Sequence, residues 1–177
     1  MSPTSMIRRA AAAAVATLVV ATVLPRGGTA QIPGSVRAEH HAIHEELVRA
    51  TRVPGPVGAA ARELAAVLDP HFEREEQIAL PPLGLLAPLA RGEFTPAMQA
   101  MLPMTDSLRA ELPRMLAEHK AIHAATRRLG EVARSAGNAA AAQLAETLAL
   151  HAQSEEELLY PAALLVGEIV RSRLQRD

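Results

Sequence analysis

The chain has 177 residues, 49% of them apolar but only 2% aromatic, which suits a single domain with an aliphatic core. It contains no cysteine, which excludes disulfides, thiolate zinc sites, cysteine-bound iron–sulfur clusters, c-type haem attachment and a lipidated N-terminal cysteine. A formal net charge of −1 offers no basic field to nucleic acid, so no nucleic-acid partner is expected.

The first element is a leader. Arg8 and Arg9 precede an uncharged run from Ala10 to Leu24, and Gly28 and Ala30 are small residues three and one before a cut after residue 30. That order reads as a signal peptide over residues 1–30. The apolar run is shorter than the about 20 residues a membrane span needs, so no stable membrane insertion is expected after cleavage. The expected location is periplasmic or secreted. The remaining domain, 31–177, holds 15 basic and 19 acidic residues.

That domain is rich in Ala, Leu, Glu and Arg, all strong helix formers, and lacks the Val/Ile/Thr alternation of a strand. The first helix is expected from a Ser35 cap to about Arg52, where Val53-Pro54-Gly55-Pro56 breaks it. A second runs from about Val57 to Leu80 and stops at Pro81-Pro82. A long connection rich in Pro and Gly follows, with a short helix after Thr95. Pro113 is read as interrupting a start at Asp106, so the third main helix is placed from Pro113 to about Ala136. Gly137-Asn138 turns the chain into a fourth helix, from about Ala139 to the tail, with a kink at Pro161. Four helices with two short turns and one long connection predict an all-α fold, an antiparallel four-helix bundle.

An internal repeat organises the domain. Glu39-His40-His41-Ala42-Ile43-His44 recurs as Glu118-His119-Lys120-Ala121-Ile122-His123. His71-Phe72-Glu73-Arg74-Glu75-Glu76 recurs as His151-Ala152-Gln153-Ser154-Glu155-Glu156, and Leu80-Pro81 as Tyr160-Pro161. The bundle is thus two copies of a helix pair. Residues four apart share one helix face. The pairs His40/His44, His71/Glu75, His119/His123 and His151/Glu155 therefore each offer two donors inward. Imidazole with carboxylate suits iron, zinc, copper or nickel. Eight donors exceed one ion and fit two, bridged by Glu75 and Glu155. Unpaired, such groups would be costly to bury. His41, about 100° around from His40, reads as a surface residue or as one supporting a ligand from behind. Ile43, Leu47, Ile122 and Leu158 read as core or pocket lining.

The order of these motifs resembles the hemerythrin-like HHE cation-binding domain, over about residues 36 to 166. The resemblance implies a four-helix bundle holding a non-haem di-iron centre, with two iron ions bridged by carboxylates and an oxo or hydroxo group. It places His40, His71, Glu75, His119, His151 and Glu155 at ligand positions. His123 matches a second histidine that oxygen carriers have on the third helix, whereas His44 has no counterpart. The acid of the fourth helix is Glu155 at i+4, where those proteins have Asp at i+5. Three functions stay open: binding or sensing O2 or a related oxidant such as NO or peroxide, di-iron oxidase or peroxidase chemistry, and a structural or iron-storage site. No redox partner is evident. Six histidines and two bridging carboxylates would close both ions, so gas binding requires one histidine to stand aside, and His44 is the candidate.

Overall fold

The computed structural model describes residues 31–176, so the leader expected over residues 1–30 lies outside the described residues. Helix α1 spans Gly34–Thr51 and α2 spans Pro56–Ile78. The connection carries a 3-10 turn (Pro81–Leu85), the five-residue α3 (Leu86–Ala90) and a second 3-10 turn (Pro96–Met101). Helix α4 spans Leu102–Ser135, α5 spans Ala139–Ser154, a π turn covers Glu155–Leu159, and α6 spans Tyr160–Leu174. No strand occurs among the described residues. No described helix is long and apolar enough to cross a membrane.

The two short turns use the residues expected of them. Gly55 and Gly137 adopt φ of 78° and 66°, the left-handed region that glycine enters without a Cβ clash. The Asn138 side chain accepts a hydrogen bond from the Ala141 amide at 3.0 Å and caps α5. Helix α1 differs from expectation: Pro33 is its N-cap and Ser35 lies inside it, without a side-chain cap.

Prolines end less than the sequence suggests. Helix α4 runs 34 residues, straight through Pro113, and α2 runs through Pro70. A helix-interior proline strips the carbonyl four residues earlier of its partner. Here that carbonyl belongs to Arg109 or Ala66, and both prolines and both of these residues are exposed, so water replaces the lost bond. The fourth arm of the bundle is likewise not one helix kinked at Pro161 but α5 and α6 joined by the π turn.

Helix α4 packs on α2, α5 and α6, while α1 packs on α2 and α5, closing the antiparallel bundle. One aliphatic cluster fills the end near the short turns, with Ile43, Leu47, Leu64, Leu68, Ile122, Leu129, Leu144 and Leu148. A second, with Leu80, Leu83, Leu108, Met115, Tyr160 and Ala163, fills the interior toward the other end. Between them in every main helix lies a buried polar layer.

Helices α4 and α6 approach closely at Gly167. A Cβ there would lie 2.8 Å from Cβ of Thr105, a branched residue with little freedom to turn away. Gly167→Ala should lower stability by about 1–3 kcal/mol, the usual cost of overpacking. Chemical denaturation measures it, and an unchanged midpoint would show that the two helices can separate freely.

Candidate metal centre

His40 of α1, His71 and Glu75 of α2, His119 of α4, His151 of α5 and Glu155 at the start of the π turn converge in that polar layer. None is more than 3% exposed. The pairs His71/Glu75 and His151/Glu155 each present both members inward, as i, i+4 spacing dictates. The donors form two groups: His71, Glu75, His119 and Glu155, and then His40, His151 and Glu155.

The carboxylates span these groups. Glu155 places Oε1 3.0 Å from His151 Nε2 and 3.3 Å from His40 Nε2, and Oε2 3.6 Å from His119 Nε2. Glu75 places Oε1 3.3 Å from His71 Nε2 and 4.0 Å from His119 Nε2, and Oε2 3.9 Å from His40 Nε2. Each carboxylate therefore offers one oxygen to each group. Of the adjacent acids on α5 and its π turn, Glu155 faces inward and Glu156 outward.

Outer acids stand beside the imidazoles, and two of them hydrogen-bond a ring nitrogen. Glu118 accepts from His71 Nδ1 at 2.9 Å, and Glu156 from His119 Nδ1 at 2.8 Å. Glu39 lies 3.3 Å from His151 Nδ1 and Glu76 3.8 Å from His40 Nδ1, neither hydrogen-bonded, and His40 Nδ1 is buried without a partner. The arrangement follows the repeat: Glu39 and Glu118 each precede a histidine and reach across to the other copy, while Glu76 and Glu156 each follow a carboxylate and serve their own copy. At His71 and His119 the acceptor at Nδ1 fixes the tautomer and aims the Nε2 lone pair inward, as in carboxylate–histidine–metal triads. The sequence displays these four acids inside the repeated motifs, but their role needs the packing of neighbouring helices. Arg114 Nε holds Glu118 in turn at 2.8 Å. Glu118→Ala should weaken metal binding about 10- to 100-fold while leaving the metal count at saturation unchanged. Titration with a competing chelator measures this, and unchanged affinity would deny Glu118 its orienting role.

Two expected donors stand apart. His44 is exposed, on a surface groove shared with Arg37, His40, His41 and Phe72. The His123 ring is 31% exposed and meets Glu156 at 3.3 Å, outside both donor groups. His41 is exposed, as expected. Ile43, Leu47 and Ile122 are buried core, but Leu158 is 64% exposed and lines no pocket around the centre, because the π turn rotates it outward.

The donors perturb one another's protonation. Burial opposes a charged His151, but the Glu155 carboxylate 3.0 Å away outweighs it and lifts the ring to about 9. Burial opposes a charged Glu155 too, yet His151 and His40 bring it down to about 2. Burial, then the Glu155 charge, pushes Glu75 up. Burial also works against a charged His71, but Glu75 and Glu118 together raise it. His119 is lowered by burial and by His71. The metal-free cluster therefore concentrates negative charge on Glu155 and positive charge on His151.

Tyr160 is the residue that sequence reasoning passed over. The π turn brings it in. Five residues on an α-helix carry a side chain about 140° away from its start. A bond from the Tyr160 amide to the Glu155 carbonyl widens the turn and returns Tyr160 to the inner face. Its hydroxyl donates to Glu75 and lies 3.1 Å from His119 Nε2 and 3.2 Å from His71 Nε2.

The residues fit a resident metal. Glu75 Oε2 and His151 Nε2 are buried without a hydrogen-bond partner, and the 3.0 Å approach of His151 to Glu155 lacks bonding geometry. Such orphaned inner atoms are costly unless a cation lies between them. Neutral imidazoles and carboxylates at these separations suit a first-row transition ion. Comparison with curated proteins and with solved structures yields no match. The family model for the hemerythrin HHE cation-binding domain matches residues 31–163. Helix order, donor cluster and matched span agree, and the chain belongs to the hemerythrin HHE cation-binding domain family.

Proposed function

We propose that this is an exported two-iron protein whose centre binds or senses O2 or a related small oxidant such as NO or peroxide. One observation carries the reading: only six of the eight expected donors converge, too few to fill two six-coordinate ions. His40, His151 and Glu155 form a two-histidine, one-carboxylate set, a combination suited to non-haem Fe(II) with positions left free. Bound iron would supply the redox chemistry. The chain supplies access and orientation. Phe72 stacks on His40 at 4.2 Å and both line the groove, so a small apolar molecule meets that side of the centre across an aromatic wall. The Glu39 carboxylate stands 3.3 Å from His151 Nδ1 on the outer side. His44 lines the same groove without joining the donors, which suits a group beside an approaching ligand. The leader expected at residues 1–30 supports a periplasmic or secreted location.

The test loads the protein with ferrous iron without air, then admits O2, and separately azide, while recording the visible spectrum. A change reversed by removing O2 supports binding. Continuous O2 or peroxide consumption would instead favour an oxidase or peroxidase, and a spectrum indifferent to O2 and azide would contradict both and favour a structural or storage site. His44→Ala should keep two irons and alter only the rate or lifetime of the O2 response. His40→Ala should weaken iron binding by more than the about 100-fold that an orienting partner is worth. Equal iron loss in both variants would make His44 a ligand and close the site.

A further inference from the structure

The two halves of the centre differ at one repeat-related position. Tyr160 in the second copy corresponds to Leu80 in the first. Both follow a carboxylate by five residues, and both donate their amide to its carbonyl: Leu80 to Glu75 at 2.9 Å, and Tyr160 to Glu155. Both side chains are 1% exposed. The backbone thus repeats while the chemistry does not, and the chain's single tyrosine stands where its other half has a leucine.

The surroundings of the phenol are unusual for a hydrogen-bonded core tyrosine. Glu118 and Glu156 accept from Nδ1 of His71 and His119, which leaves each neutral ring with a lone pair at Nε2. With both rings neutral and Glu75 ionised, the forms a metal binds, the Tyr160 oxygen faces two imidazole lone pairs and a Glu75 oxygen with one proton to offer. Acceptors gathered this way repel one another unless a cation sits among them. The spacing also fits. Bonds of about 2.1 Å to one octahedral ion put neighbouring donor atoms about 3.0 Å apart. The phenol oxygen lies 3.1 and 3.2 Å from the two nitrogens.

We propose that Tyr160 is a metal ligand: its phenolic oxygen joins His71, His119 and Glu75 around one ion, while Leu80 gives the His40/His151 position no such donor. The two positions are then inequivalent, one given a fifth protein donor and the other left more open to small molecules. The phenol proton passes to solvent as the ion binds, as for other protonated ligands. The inference rests on the two-iron reading above, and the experiment separates the two.

The protein is loaded with iron and oxidised to the ferric state. Iron per chain is measured first, and the visible and resonance Raman spectra follow. A ferric phenolate gives a visible charge-transfer band whose excitation enhances tyrosine ring vibrations. With one tyrosine in the chain, such vibrations in the unaltered protein identify Tyr160 even if a variant fails to fold. Tyr160→Phe should lose band and ring vibrations while retaining iron at His71, His119, Glu75 and Glu155. Two irons per chain without the phenolate signature would overturn the inference and leave the two-iron reading standing. A signature that survives in Tyr160→Phe would also overturn it. Failure to bind iron at all would overturn both.

Discussion

Replacing Glu155 by alanine should disable both metal positions at once. Glu155 is the only residue found in both donor groups, with Oε1 turned to His40 and His151 and Oε2 to His119. Its loss removes an inner donor from each ion, so the affinity loss should exceed the about 10- to 100-fold attached to an outer partner. Stability reports the same event. Metal at about 100 times its Kd stabilises a protein by about 2.7 kcal/mol, and the unaltered chain should gain that much on loading. The variant should gain nothing measurable at the same concentration. Thermal melts with and without iron read the difference. A Glu155→Ala protein that keeps two irons and its metal-dependent rise in melting temperature would show that the carboxylate is not shared. Glu75→Ala should behave similarly, because Glu75 also addresses both groups. Glu118→Ala should not, because Glu118 touches only the outer edge of His71.

The second large effect is a change in pH response on metal binding. In the metal-free protein His151 is raised from 6.5 to about 9 by Glu155, after burial has worked against it. A raised histidine contributes stability that is complete below the unfolded value and lost as pH rises through the folded one. His151 should therefore contribute on the order of 3 kcal/mol below pH 6.5, disappearing as pH climbs through about 9. The raised His71 and Glu75 act in the same direction, since each holds its proton longer in the folded state. On the acid side, Glu155 contributes stability present above 4.5 and lost as pH falls toward about 2. Metal takes the place of the proton on His151, so loading should flatten the alkaline limb and steepen the acid one, where protons displace the ion. Denaturant midpoints across pH, with iron and with chelator, test this. Parallel curves would mean that metal does not reach the His151–Glu155 pair.

Much of this was legible in the sequence, and the errors have identifiable causes. The repeat exposed the bundle and brought to notice the six side chains that converge in the buried layer. Spacing of four could not show which histidines face inward, because it fixes two residues on one face without saying which face. The apolar stripe could have done so. On α1, His40 aligns with Ile43 and Leu47, and on α4, His119 aligns with Ile122 and Leu129. His44 and His123 lie one residue beyond that stripe. Pro113 misled because a proline's cost depends on whether the freed carbonyl reaches water, which is a property of the packed bundle. The π turn has no signature in residue spacing, so Tyr160 was visible only as the phenol replacing Leu80 in the repeat. The outer acids were legible as residues but not as partners, since each acts on a ring from a different helix.

On the two-iron reading the buried His and Glu donors hold two ions, and the most direct measurement is the number of iron atoms per chain. Native mass spectrometry of iron-loaded protein should show a dominant species carrying two irons, and both should be lost together in Glu155→Ala. A single tightly held ion, or none, under the same loading conditions would contradict the account.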